Sequence, residues 1–128
     1  MARVLIVEDQ AADAHFAADV VRSLGISEIE ARSTAGSAKA YLEAAFEDNT
    51  APDLIVLDLD LGYDSGHEVL RYWHTHRGAR KPRMIVWTIM GKEQKEMCQL
   101  FNVDAVVPKQ EGAEGLASAI KSLAPKSA

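Results

Sequence analysis

Short apolar runs alternate with longer amphipathic stretches along the whole chain. The runs over 4–7, 54–57 and 84–87 are apolar at every position. Uninterrupted runs of this kind mark strands covered on both faces, as in a parallel sheet. Shorter runs at 105–107 and, more weakly, 29–31 complete a set of five. Between them the apolar positions fall at helical spacing. Over 11–24, Ala12, Phe16, Val20 and Leu24 recur four apart, and Gly25 follows as a C-terminal cap. The stretch 37–47 groups Ala38, Leu42, Ala45 and Phe46, while 66–76 groups Val69, Leu70 and Trp73 behind a cap at Asp64 or Ser65. Helices are predicted likewise over 92–101 (Met97, Leu100, Phe101) and 111–123 (Leu116, Ala119, Ile120, Leu123). Strand and helix in strict alternation predict a doubly wound α/β fold, helices on both faces of one parallel sheet.

Composition narrows the class. A chain of 128 residues with 48% hydrophobic and 26% charged positions suits one ordinary globular domain over 1–128, and disorder is excluded. One cysteine, Cys98, excludes an internal disulfide or a cysteine-only zinc site. It has no basic neighbour to activate it, so it reads as inert. A net charge of −5 argues against a general electrostatic grip on nucleic acid or anionic lipid. No stretch approaches the ~20 apolar residues of a membrane span. The first apolar run stops at Glu8-Asp9, short of the ~7–15 residues of a signal-peptide core. A cytoplasmic location without membrane insertion or nucleic-acid binding is expected.

In an open parallel sheet, ligands sit beyond the carboxyl ends of the strands. Glu8 and Asp9 stand at the end of the first run and Asp58, then Asp60, at the end of the third. The fourth ends in Thr88 and the fifth runs into Lys109. An unpartnered carboxylate at the mouth of a buried strand costs desolvation energy, which makes Asp58 the most telling of these. Converging carboxylates repel, and a hard divalent cation relieves the repulsion. Magnesium, with about six oxygen ligands, suits Asp9 and Asp58 directly and Glu8 directly or through water. The backbone carbonyl of Asp60 would complete the protein's share. Lys109 by charge and Thr88 by its hydroxyl would hold the oxygens of a phosphoryl group.

These residues, in this order and at these intervals, resemble the receiver domain of two-component response regulators over essentially the whole chain. The resemblance implies strand order 2-1-3-4-5 and an acidic metal pair at Glu8 and Asp9. It implies a phosphoacceptor at Asp58, a switch hydroxyl at Thr88 and a phosphate-binding lysine at Lys109. Gly66, eight residues after Asp58, matches the glycine that opens the third helix in that family. The function implied is that of a stand-alone phosphoacceptor without an output domain. A histidine kinase or histidine phosphotransfer protein would donate to it, and its affinity for a downstream protein would change.

Four positions depart from the family pattern. Gly62 replaces a proline four residues after the acceptor. Ile89 takes a small residue's place after Thr88 and would narrow access to the site. Val106 stands where the family has its aromatic switch, and proline precedes Lys109, as Pro108, instead of following it. With Thr88 drawn toward a phosphoryl group, the segment 89–95, with Gly91, is the element expected to move. A phosphatase resembling the haloacid-dehalogenase superfamily is the enzyme alternative, with Asp58 as nucleophile and Asp60 as general acid. It leaves Glu8-Asp9 without work and has no room for a substrate cap. A receiver-like scaffold that is never phosphorylated is the binding alternative, supported by Ile89 and Val106. The basic stretch of His74, His76, Arg77, Arg80, Lys81 and Arg83 reads as a solvated connection, and Trp87 as core packing.

Overall fold

A computed structural model describes residues 2–62, 64–76, 81–89 and 92–125. Arg77, Arg80 and Gly91, invoked above, lie outside these. Five parallel strands form one sheet: β1 (Arg3–Val7), β2 (Glu28–Arg32), β3 (Leu54–Leu57), β4 (Arg83–Thr88) and β5 (Ala105–Pro108). Their order across the sheet is β2-β1-β3-β4-β5, as the resemblance implies. The register sets Val7 beside both Arg32 and Leu57, Leu57 beside Val86, and Thr88 beside Pro108. The helices are α1 (Ala11–Ser23), α2 (Ala35–Glu47), α3 (Gly66–Thr75), α4 (Lys92–Phe101) and α5 (Gly112–Leu123).

Alternation along the strands divides the core into two layers. Leu5, Val7, Ile55, Leu57, Met84 and Val86 pack with Leu42 of α2, Val69, Leu70 and Trp73 of α3, and Cys98 of α4. Val4, Ile6, Leu54, Val56, Ile85 and Trp87 face the other way, onto Val21 of α1 and Leu116 and Ile120 of α5. Both faces are therefore dry, which is why the central strands are apolar throughout 4–7, 54–57 and 84–87. Cys98 is buried, and burial pushes its thiol above the ordinary value, in keeping with an inert side chain.

Differences from the predicted boundaries have local causes. β2 is an edge strand and gains Glu28 and Arg32 through its ladder with β1. Its charged positions protect an open edge, with Glu30 and Arg32 paired at 2.7 Å. α2 begins two residues earlier than predicted because the Thr34 hydroxyl caps it, accepting from the Ser37 N–H at 3.1 Å. α3 is capped by Ser65, whose Oγ accepts from the His67 N–H at 3.1 Å. α5 starts at Gly112, preceded by a 3-10 turn over Lys109–Glu111.

A short antiparallel ribbon, Asp60–Leu61 with Asp64–Ser65, was not foreseen and follows soon after β3. Gly62 in its turn has φ +70°, a conformation closed to the proline that the family carries there. A side chain at Gly62 would also press on Asp9, whose Oδ2 would lie 3.0 Å from a Cβ. Gly66 is required for a different reason. A Cβ there would strike the Asp58 carbonyl oxygen and stand 2.7 Å from Leu59 Cα. These are backbone atoms and cannot swing aside. Gly66→Ala is therefore expected to cost about 2 kcal/mol of stability by overpacking. Because the displaced peptide carries Asp58, the variant should also slow any reaction at that carboxylate. Urea unfolding checks the first effect, and stability equal to the parent would overturn the assignment.

Candidate functional site

Backbone pairing carries the parallel ladder one residue past the strands and thereby places the acids. The Glu8 N–H donates to Arg32 O, and the Asp58 N–H donates to Val7 O, each at 3.0 Å. Glu8 and Asp58 thus leave adjacent strands at one level and are both buried. Asp9, half-buried, joins them: one carboxylate oxygen from each of Glu8, Asp9 and Asp58 lies within 4.8 Å of the others. Octahedral magnesium places its oxygen ligands roughly 3 to 4 Å apart, so the donor set fits that ion with small adjustments. Asp60 is exposed, and its carboxylate is outside the trio. Its Oδ1 accepts from the Gly62 N–H at 3.4 Å.

The Asp58 carboxylate is held by three donors. Asp58 Oδ1 accepts from the buried Thr88 hydroxyl at 2.6 Å and from the Asp60 N–H at 3.0 Å. Its Oδ2 accepts from Lys109 Nζ at 3.1 Å. Lys109, at the start of the 3-10 turn, has a side chain only 13% exposed. Its ammonium also donates to Glu8 Oε2 at 2.7 Å and to Asp13 Oδ2 at 2.8 Å. The three ammonium hydrogens are thus matched by three carboxylates. Beneath them lies the Trp87 ring, with Nζ 4.8 Å from its centroid, and Phe16 of α1 stacks on Trp87 at 5.9 Å.

Glu8 shows the electrostatic state of the pocket most directly. Burial pushes its carboxyl up to about 7, and the charge of Asp58 pushes in the same direction. The Lys109 hydrogen bond and the Gln10 N–H, 3.1 Å from Oε1, oppose that rise without cancelling it. For Lys109 the balance is reversed. Burial works against the charged ammonium, but Asp13, Glu8 and Asp58 outweigh it and hold the group protonated well above its ordinary range. The pocket therefore contains more negative charge than one lysine neutralises, and a cation would relieve it.

Glu8, Asp9, Asp58, Thr88 and Lys109, read from the strand ends, all meet here. Asp13 was missed. Its one sequence signal is its place four residues after Asp9, in the first turn of α1, where a carboxylate can reach back over the strand ends. Ile89, expected to narrow access to the site, is 68% exposed, and Val106 on β5 is 41% exposed. Trp87 packs in the core as read, yet its Nε1 has no hydrogen-bond partner among the described residues.

The chain matches the response regulator receiver domain over residues 4–121 and belongs to that family. No curated protein matches it. Among solved structures it is similar to the manganese-bound form of the response regulator Rcp1, at 24% identity and TM-score 0.80, covering 95% of this chain and 93% of that one. A receiver domain protein from Methanospirillum hungatei JF-1 is 26% identical, with TM-score 0.79 and coverage of 95% and 92%. The phosphorylated cyanobacterial phytochrome response regulator RcpA is 23% identical, with TM-score 0.76 and coverage of 94% and 89%. This chain is thus a receiver domain with an acidic pocket formed by Glu8, Asp9 and Asp58. No helix among the described residues is long and apolar enough to cross a membrane.

Proposed function

We propose that the domain accepts a phosphoryl group on Asp58 in a magnesium-dependent reaction and thereby changes its affinity for a downstream protein. The observation that carries this reading is one carboxylate, Asp58, held by Thr88 and Lys109 beside two further acids. A carboxylate oxygen of Asp58 would attack phosphorus and form a new O–P bond. The bond from phosphorus to the donor's imidazole nitrogen would break, and the released imidazole would take up a proton. Lys109 and Thr88, now on Asp58 itself, would shift their hydrogen bonds to phosphoryl oxygens. Glu8, Asp9, Asp58 and the Asp60 carbonyl would hold magnesium, which when bound screens Asp58 from the incoming anion and orients the phosphoryl group.

The donor is a histidine kinase or histidine phosphotransfer protein, and the site works in the cytoplasm as a signalling acceptor with no external substrate to turn over. Its acidic balance does not suit direct output through nucleic acid. The phosphatase alternative has less support, because the Asp60 carboxylate turns to Gly62, away from the clustered acids. Incubation with acetyl phosphate and magnesium, read by intact mass, tests the proposal. One added phosphoryl group in the parent, absent in Asp58→Asn and after chelation of the metal, is the expected result. No gain in the folded parent would favour the unphosphorylated scaffold.

A further inference from the structure

Two of the three carboxylates on Lys109 have other work in the reaction proposed above. Glu8 and Asp58 belong to the acidic trio, and Asp13 does not. A cation among the trio would engage oxygens of Glu8 and Asp58, and a phosphoryl group would bond to Asp58. Lys109 would then retain a single free carboxylate, Asp13, whose Oδ2 lies 2.8 Å from Nζ. Asp13 is well placed for this. It sits in the first turn of α1, and Phe16, one turn further on, stacks on the Trp87 ring under the same ammonium. Residues three apart share a helix face, so α1 presents the anchor and its support together.

We propose that Asp13 is a positioning residue: it keeps the Lys109 ammonium beside Asp58 while the other two carboxylates are engaged by metal and phosphoryl group. The role rests on the reading of Asp58 as phosphoacceptor. An acid in the first turn of α1 also favours the helix dipole, but that structural role acts on stability and leaves the phosphorylation rate of the folded domain unchanged. Removing its charge weakens the hold on the lysine at the moment the acyl phosphate forms and acetate leaves acetyl phosphate.

The test is the phosphorylation rate from acetyl phosphate at saturating magnesium, with melting midpoints measured alongside. Asp13→Asn is expected to be roughly tenfold slower, the lower end for a lost charged hydrogen bond at a side chain 42% exposed. Asp13→Glu, with charge kept and room to extend, should recover to within about threefold of the parent. Added to Lys109→Met, Asp13→Asn should cost nothing further, because its effect passes through the lysine. Asp13→Asn within about twofold of the parent would overturn the proposal. So would an equal slowing with and without Lys109. Where Lys109→Met is too slow to follow, the contrast between Asp13→Asn and Asp13→Glu decides, and equal rates refute the role. If the folded parent gains no phosphoryl group, the reading of Asp58 fails and the role of Asp13 falls with it. Gain in the parent with an unaffected Asp13→Asn sinks only the latter.

Discussion

Lys109→Met is expected to lower the stability of the metal-free domain by about 3 kcal/mol at pH 8, a fall of roughly 10 °C in melting midpoint. The lysine makes one hydrogen bond to each of Glu8, Asp13 and Asp58, and the side chains of Glu8 and Asp58 are almost wholly out of water. Breaking a buried pair by removing one member leaves the other charge without compensation, which is costlier than the pair's net worth suggests. Methionine keeps a flexible stem against Trp87, so the loss isolates the charge more than the packing. The variant should also respond more strongly to magnesium than the parent, because the ion would replace the missing positive charge. At one fixed magnesium concentration the tighter binder gains more, about 2.7 kcal/mol where the ion stands at about a hundred times the dissociation constant. Thermal unfolding with and without the metal checks both parts. A midpoint unchanged in Lys109→Met would mean that the carboxylates repel one another too weakly to need a cation.

What the sequence made legible follows from where each residue lies. The interiors of the central strands are apolar because both faces are covered, and only the ends at Arg3, Arg83 and Thr88 are polar, so β1, β3 and β4 could be read almost to the residue. β2 lies at an edge, and a mixed polar pattern hid its ends until pairing with β1 defined them. The start of α2 was hidden because Ala35-Gly36 has no helical signature and the decisive group is the Thr34 hydroxyl before it. Strand-end residues of the site were legible because topology alone brings carboxyl ends together. Nothing in the sequence states that Asp13 bonds Lys109, since that contact joins positions far apart in the chain and depends on how α1 packs against the sheet. The reason for Gly66 was also hidden. It concerns a close approach to Asp58 and Leu59, which only the fold reveals.

Between pH 5 and pH 8 the metal-free domain is expected to lose stability as the pH rises, and Glu8 sets the sign. Its carboxyl titrates near 7 in the folded protein against 4.5 as a free side chain. Over that window the folded state holds a proton that the unfolded state has released. Stability must then fall with rising pH, because the unfolded state binds fewer protons. The gap between 4.5 and about 7 corresponds to at most about 3 kcal/mol, developed fully above pH 7. Lys109 adds no slope here, since its ammonium is charged throughout in both states. Magnesium should flatten the slope, because a carboxylate that coordinates metal is ionised, and affinity for the ion should tighten as pH rises toward 7. In Glu8→Gln the slope should nearly vanish without metal, and the variant should be more stable than the parent at pH 8. Chemical unfolding at pH 5, 6, 7 and 8 measures the trend. A metal-free parent whose stability rises across this range would show that Lys109 compensates the trio by itself, and the pocket would then have no electrostatic need of a cation.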